Sequence, residues 1–207
     1  MDSKNLTKIF EDLSSRELKS VMLAMAIGDA NFGVKNDCIN AFLQVAHSPK
    51  VRDYVEVKRL ILSQVPGIRC YVGDYLQKNR KLGKVYPTIR LSTNSHQNVT
   101  KIWKRVYRPK KSVNEGVLNS LTPLGLAIWY MDDGHLSIQH NVKRYITDID
   151  RFPAERSISS RPIIFNTHKF SYDENCLIAE WLTTRWGVQS RVKPDRKRNL
   201  FFVYANT

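Results

Sequence analysis

Two apolar segments of the chain each end in an acidic turn. The first runs from Leu23 to Asp29, the second from Leu126 to Asp133, and the two aspartates are 104 residues apart. A helix that is apolar almost all round is buried, and small residues in both segments would let two such helices approach closely. If the helices pack side by side and parallel, their C-terminal ends bring Asp29 and Asp133 together.

Two carboxylates buried where two helices meet need a positive charge to balance them. They repel each other, and they lie at the negative ends of two helix dipoles. A divalent cation removes the conflict, because Mg²⁺ accepts carboxylate oxygens together with the carbonyls of a helix's last turn. The paired acidic turns therefore predict a metal site.

The same order of elements occurs twice along the chain. Capping boxes at Ser14 and Ser171, and serine or threonine before proline at Ser48 and Thr122, predict helix starts. Between them, alternating segments such as 88–92 predict strands. Each half reads helix, two strands, helix, two strands, which predicts a duplicated α+β fold. We place the N-terminal half at 1–107, a linker at 108–121, the C-terminal half at 122–207 and a loop at about 140–160.

Charge and composition narrow the class of protein. Lys and Arg number 33 against 19 Asp and Glu, a net charge of +14, and 75–114 holds eleven bases and no acid. A solvated face usually mixes signs, so this stretch predicts contact with nucleic acid. No apolar run is long enough for a membrane span. Three cysteines without a CxxC pair disfavour a disulfide framework or a zinc finger.

The two acidic segments resemble the paired motifs of the LAGLIDADG homing endonucleases, in the two-motif, single-chain branch. The sequence LTPLGLAIWYMDDGHL carries the resemblance most specifically, and LAMAIGDANF is a looser version. The resemblance covers about residues 15–205. It implies a pseudo-twofold α-β-β-α-β-β fold in which two antiparallel sheets form a DNA-binding saddle around a parallel helix pair. It also implies a monomeric homing endonuclease that breaks both strands of a long DNA site by Mg²⁺-dependent hydrolysis, leaving short 3′ overhangs.

The resemblance assigns roles to individual residues. Asp29 and Asp133 would hold two or three Mg²⁺ ions at the helix-pair interface, and Gly28 and Asp132 would offer backbone carbonyls. The strand segments AFLQVAHS and IIFNTHKFS match the strand after each motif and place polar residues near the reacting water. The further catalytic candidates are Gln44, Asn166 and Lys111. The second half has no lysine in the place of Lys111, unless Lys193 or Lys197 supplies it.

The polar faces of the strands would read the major groove. In the first half the candidates are Arg69, Tyr71, Tyr75, Lys78, Arg80, Lys84, Thr88, Arg90 and Ser92. In the second half they are Ser137, Gln139, Lys143, Arg191, Lys193, Arg196 and Arg198.

Two other functions fit a basic protein of this pattern. An RNA maturase that assists intron splicing, or a transcription factor on the same fold, would keep the basic surface without needing both acids. The presence of Asp29 and Asp133 favours cleavage. Double-stranded DNA is the expected partner, intron RNA a possible second one, and a membrane is not expected. The mixed-charge N-terminus predicts an intracellular protein, and the resemblance implies an organelle, a microbe or a phage as its setting.

Overall fold

A computed structural model gives the fold. It describes residues 10, 12–36, 38–78, 83–107, 110–136, 139–141, 157–160 and 162–205. The chain divides into two compact units, residues 1–132 and 133–207. Within the described part, no helix has the length and apolar character needed to cross a membrane.

The first unit contains five helices and four strands in its described part. Along the chain they are α1 (Ser15–Ile27), β1 (Asn31–Val34), β2 (Ala41–His47), α2 (Arg52–Ser63), β3 (Cys70–Lys78), β4 (Val85–Thr93), α3 (Gln97–Val106), α4 (Glu115–Leu118) and α5 (Pro123–Asp133). A single 3₁₀ turn, Pro49–Val51, precedes α2. Helix α5 ends at the boundary between the units.

The start of α1 follows from its cap. The Ser14 hydroxyl accepts from the Glu17 backbone N–H, and the Glu17 carboxylate accepts from the Ser14 backbone N–H. This reciprocal pair satisfies two amides that the first turn leaves without partners, and the predicted capping box is confirmed. The helix then buries every residue from Ser20 to Ile27, as its apolar sequence predicts.

The strands of the first unit form one antiparallel sheet in the order β1-β2-β4-β3. Gln44 pairs with Asn31 on one side and with Ser92 on the other. Side chains alternate between the faces, so Leu43 and Val45 are buried on the face that covers the core. Gln44 lies on the opposite face, together with Ser92.

Helices α1 and α5 pack against each other closely and in parallel. A methyl group built on Gly125 would lie 2.0 Å from Ser20 Oγ, and one on Gly28 would lie 2.7 Å from Asp132 Oδ2. The first contact lies near the N-terminal part of both helices and the second at the C-terminal end of both, so the helices run parallel. Only glycine allows these two approaches, and the predicted parallel pair is confirmed up to Asp132.

The second unit repeats the sheet of the first. Its described elements are β5 (Gly134–Leu136), β6 (Gln139–Asn141), β7 (Ser157–Ser160), β8 (Ile163–Phe165), α6 (Tyr172–Trp186), β9 (Ser190–Asp195) and β10 (Leu200–Ala205). The main sheet has the order β5-β8-β10-β9, so in both sheets the first strand pairs with the second, the second with the last, and the last with the third. The predicted α+β class is confirmed, with two four-stranded antiparallel sheets and six helices among the described residues.

The structure also corrects one expectation. Strands β6 and β7 pair with each other and lie at the two ends of the stretch 140–160, so the loop prediction is wrong there; residues 142–156 lie outside the described residues. Inside the predicted linker, α4 forms because the Asn114 side chain accepts from the Val117 backbone N–H. The boundaries at 107 and 122 stay a prediction drawn from the repeat.

Candidate active site

The C-terminal ends of α1 and α5 meet at a cluster of three possible ligands. Asp29, His47 and Asp132 each offer one atom, and these atoms lie within 4.8 Å of one another. Asp29 Oδ2 is 3.9 Å from His47 Nδ1, and Asp132 Oδ1 is 4.0 Å from His47 Nε2. Asp29 keeps 40% of its side chain exposed whereas Asp132 keeps none. Asp29 is therefore accessible to solvent or substrate, whereas the Asp132 side chain is buried in the protein interior.

Residues of α2 hold the buried carboxylate. The Lys58 ammonium lies 2.5 Å from Asp132 Oδ1, and both side chains are 0% exposed. The Tyr54 hydroxyl lies 2.7 Å from the same oxygen and 3.0 Å from the Ile128 carbonyl oxygen. Asp132 Oδ2 is buried, and no hydrogen-bond partner reaches it among the described residues.

His47 lies between these groups on the core face of β2. The Lys58 ammonium can only donate, so His47 Nε2, 3.0 Å away, accepts from it. The ring proton is then on Nδ1, which faces Asp29. Burial, followed by the positive charge of Lys58, lowers the pKa of His47 from the ordinary 6.5 to about 4. The imidazole is neutral at physiological pH, and in this tautomer its Nδ1–H faces Asp29, so neither ring nitrogen has a free lone pair for a metal.

Lys111 contacts the end of the first motif helix. Its ammonium donates to the carbonyl oxygens of Gly28 and Ala30, at 2.8 and 3.0 Å. These carbonyls belong to the last turn of α1 and the turn after it, where the helix dipole favours a cation. Lys111 therefore contacts the residues on either side of Asp29 and engages the Gly28 carbonyl that the resemblance assigned to metal. Its catalytic role stays a prediction.

In the second unit, Asp133 is paired with a lysine that the sequence reasoning missed. The Lys169 ammonium lies 3.2 and 2.9 Å from the two carboxylate oxygens of Asp133, which is 8% exposed. The Asn166 backbone N–H donates to the Asp133 carbonyl at 2.7 Å, and its side-chain Nδ2 lies 3.2 Å from His135 Nδ1. Lys169, rather than Lys193 or Lys197, is the lysine beside this acid.

The strand registers separate Gln44 from Asn166. Gln44 pairs with Asn31, two residues after Asp29; the residue paired two positions after Asp133 is Ile164. The two polar residues are thus not equivalent, although the sequences around them look alike. Their catalytic roles stay predictions.

The first sheet gathers most of its predicted DNA-reading residues on one face. Paired positions place Tyr71 beside Ser92, and Tyr75 beside Thr88. Arg90 lies on the same face, with its guanidinium carbon 4.4 Å from the centroid of the Tyr75 ring. Of the other predicted readers, Lys78 has the opposite strand parity, and Arg69 and Lys84 precede the strands.

The second sheet presents a smaller basic face. Arg191 and Lys193 alternate onto it, and the Lys193 ammonium lies 3.2 Å from the centroid of the Tyr204 ring. Burial and the neighbouring Arg191 lower the pKa of Lys193. Arg196 and Arg198 are exposed in the turn before β10. Arg80, Ser137 and Lys143 lie outside the described residues, as does the side chain of Gln139.

The donor set near Asp29 fits a divalent cation. An exposed carboxylate and a buried carboxylate oxygen without a hydrogen-bond partner are oxygen ligands of the kind that Mg²⁺ or Mn²⁺ accepts. Lys58 already balances the charge of Asp132, so the ion would depend mainly on Asp29.

Comparison with known proteins gives the family. The model of the LAGLIDADG DNA endonuclease family matches residues 19–207. The chain belongs to this family. The resemblance recognised in the sequence is therefore confirmed, and with it the general class of protein, a DNA endonuclease.

Two relatives illustrate the similarity, and the first is itself described as a DNA endonuclease. Over 121 residues the chain is 32% identical to the probable intron-encoded DNA endonuclease 3 of Mycosarcoma maydis, covering 56% of this chain and 73% of that protein. It is 28% identical over 129 residues to the RecA protein of Mycobacterium gastri, covering 61% of this chain but only 28% of RecA.

Solved structures show the fold. The homing endonuclease I-WcaI, bound to its DNA recognition sequence, superposes with a TM-score of 0.68 at 18% identity, covering 98% of this chain and 80% of that one. I-SmaMI bound to uncleavable DNA gives a TM-score of 0.51 at 11% identity, covering 93% and 78%. At these identities the likeness concerns the fold alone.

Proposed function

We propose that the protein is a site-specific homing endonuclease that cuts both strands of a long DNA target by divalent-metal-dependent hydrolysis, leaving short 3′ overhangs. The observation that carries this proposal is the end of α1. There Asp29, 40% exposed, lies in a cluster of metal ligands, beside a lysine that contacts the same turn. Mg²⁺ is the ion we expect, and the protein would act as a monomer.

Each motif carboxylate would hold metal for the cleavage of one of the two DNA strands. A bound divalent cation supplies Lewis acidity to phosphodiester hydrolysis. Asp29 would hold one such ion and Asp133 another, because each lies at the C-terminal end of a motif helix, whose dipole favours positive charge there. Lys111 donates to the carbonyls on either side of Asp29, and the Lys169 ammonium lies 2.9 Å from Asp133 Oδ2. Each would neutralise charge that develops on the phosphate. Gln44 and Asn166 remain candidates for orienting water.

The polar sheet faces would bind the DNA. Tyr71, Tyr75 and Arg90 share one face of the first sheet, and Arg191 and Lys193 share one face of the second. Strand side chains that alternate onto one face can follow base edges in the major groove. Exposed lysines of α3 such as Lys101 are suited to phosphate contacts, which add affinity without specificity.

Neutral variants of the two acids test the proposal. A duplex that the wild-type protein cleaves is first recovered from a randomised library. We expect Asp29→Asn and Asp133→Asn to abolish double-strand cleavage in Mg²⁺ while DNA binding stays within roughly tenfold, about 1.4 kcal/mol. Cleavage is measured on end-labelled duplexes, binding by gel shift in Ca²⁺, and the overhangs by sequencing the product ends.

Asp74→Asn is the matched control. Asp74 is an acid of β3 with 66% of its side chain exposed, paired with Arg52 and remote in sequence from both motifs. Its loss should leave cleavage unchanged. Full cleavage by either motif variant would contradict the assignment. RNA maturase activity and an organellar or microbial setting stay predictions from the sequence.

A further inference from the structure

A charged lysine lies in the core without a role in the proposed reaction. Lys58 is 0% exposed and stands among the largest fully buried side chains, together with Trp129. Lysine is almost never fully buried unless it is paired. Its ammonium contacts Asp132 Oδ1 and His47 Nε2 and lies 4.3 Å from the centroid of the Tyr54 ring.

Lys58 and Tyr54 both contact the last turn of α5. Tyr54, one turn before Lys58 on α2, has its hydroxyl within hydrogen-bond distance of both Asp132 Oδ1 and the Ile128 carbonyl. Ile128 is four residues before Asp132, so the two acceptors span one helical turn. The hydroxyl and the ammonium together tie this turn to α2.

Stability alone does not account for the arrangement. A buried ion pair is often replaced by apolar residues without loss of stability, and here one carboxylate oxygen is also left without a hydrogen bond. Buried polar groups without partners are rare and call for a reason. The residue that follows Asp132 is the motif carboxylate Asp133.

We propose that Tyr54 and Lys58 are positioning residues for the second motif. They fix the last turn of α5 and thereby the orientation of Asp133, the residue at which this helix ends. The end of α1 has a separate support, because Lys111 donates to Gly28 and Ala30. This inference rests on the proposed function, in which each of the two motifs acts in the cleavage of one DNA strand. Loss of these contacts should therefore slow cleavage of one strand more than cleavage of the other.

Two variants remove the tie in different ways. Tyr54→Phe deletes only the hydroxyl. The double variant Lys58→Met with Asp132→Leu removes both charges, so that no lone charge stays buried. Ile61→Val is the control, since it shortens a fully buried side chain on the same helix without deleting a polar group.

The first measurement is strand-specific nicking under single-turnover conditions. The probe is a duplex recovered from a randomised library by wild-type cleavage, with a different fluorophore on each strand. We expect Tyr54→Phe to slow cleavage of one strand by roughly tenfold to a hundredfold relative to the other, because small displacements of reacting groups have effects of this order. The double variant also removes Asp132 from the cluster at Asp29, so the strand ratio is judged on Tyr54→Phe. The control should keep the wild-type ratio. Equal slowing of both strands, or no slowing, would overturn the inference.

The second measurement does not depend on cleavage. Amide hydrogen exchange of residues 130–134 in the free protein should quicken by roughly tenfold in Tyr54→Phe, while exchange in α3 stays at the wild-type rate. Unchanged exchange at 130–134 would overturn the inference. Failure of the wild-type protein to cut any duplex would instead contradict the proposed function.

Discussion

A methyl group added to Gly125 would break the closest approach between the two motif helices. The new carbon would lie 2.0 Å from Ser20 Oγ and 3.2 Å from the Ser20 carbonyl carbon. The first distance is far inside van der Waals contact, so the Ser20 side chain or the helix must move. Neither movement is free, because Ser20 is fully buried.

The cost follows from what the Ser20 hydroxyl does. It accepts from the Thr122 backbone N–H at 2.7 Å at the start of α5. Turning the hydroxyl away leaves a buried donor without a partner, which costs about 1–3 kcal/mol. Keeping it in place forces the helices apart, and overpacking of this kind also costs about 1–3 kcal/mol. Because the two responses are alternatives, we expect Gly125→Ala to lower the free energy of unfolding by roughly 1–3 kcal/mol.

Urea unfolding measures this change, with Gly116→Ala as the matched control. Gly116 is also helical, but a carbon there meets only Asn114 Oδ1 at 3.3 Å and Arg105 Nη2 at 3.8 Å. Alanine favours a helix by about 1 kcal/mol over glycine, so the control should be neutral or slightly stabilising. Adding Ser20→Ala to Gly125→Ala removes the clashing oxygen and should restore part of the loss. If Gly125→Ala unfolds within about 0.5 kcal/mol of wild type, a surface-like effect, the helices do not pack in this register.

Three further predictions concern pH, DNA contacts and stoichiometry. Burial holds the pKa of His47 at about 4, below the ordinary 6.5, so the unfolded chain binds the extra proton first. The free energy of unfolding should fall by up to about 3 kcal/mol as pH drops from 6.5 toward 4, and urea titrations in EDTA should show no such loss for His47→Gln. Lys101→Ala should flatten the slope of log K against log salt by about 1 on all duplexes. Arg90→Ala should instead lower the binding free energy on the preferred site by ~1–3 kcal/mol and relax specificity at one base position. Identical salt titrations for the two variants would contradict this distinction between a phosphate contact and a base contact. Sedimentation should find one chain per duplex, and a 2:1 complex would rule out the single-chain arrangement.

Local patterns in the sequence predicted the elements that depend on neighbouring residues. The capping boxes at Ser14 and Ser171 formed as expected, because a cap needs only a side chain and amides two or three residues away. The duplicated order of strands was readable for the same reason, since alternation records which side of a strand is covered. Lys111 could be assigned to the end of α1 only through the family resemblance, because 81 residues separate it from Ala30.

The partners of the acids were decided by tertiary structure. Lys58 and Asp132 are 74 residues apart, and Lys169 and Asp133 are 36 apart, so no spacing rule links either pair. A lysine on an amphipathic helix ordinarily predicts an exposed charge, and only the packing of α2 against the end of α5 shows that Lys58 is buried. The strand registers likewise separated Gln44 from Asn166, which similar sequences had made to look equivalent. The residues around a carboxylate depend on how elements that are distant in sequence pack together, and local patterns in a single sequence do not specify that packing.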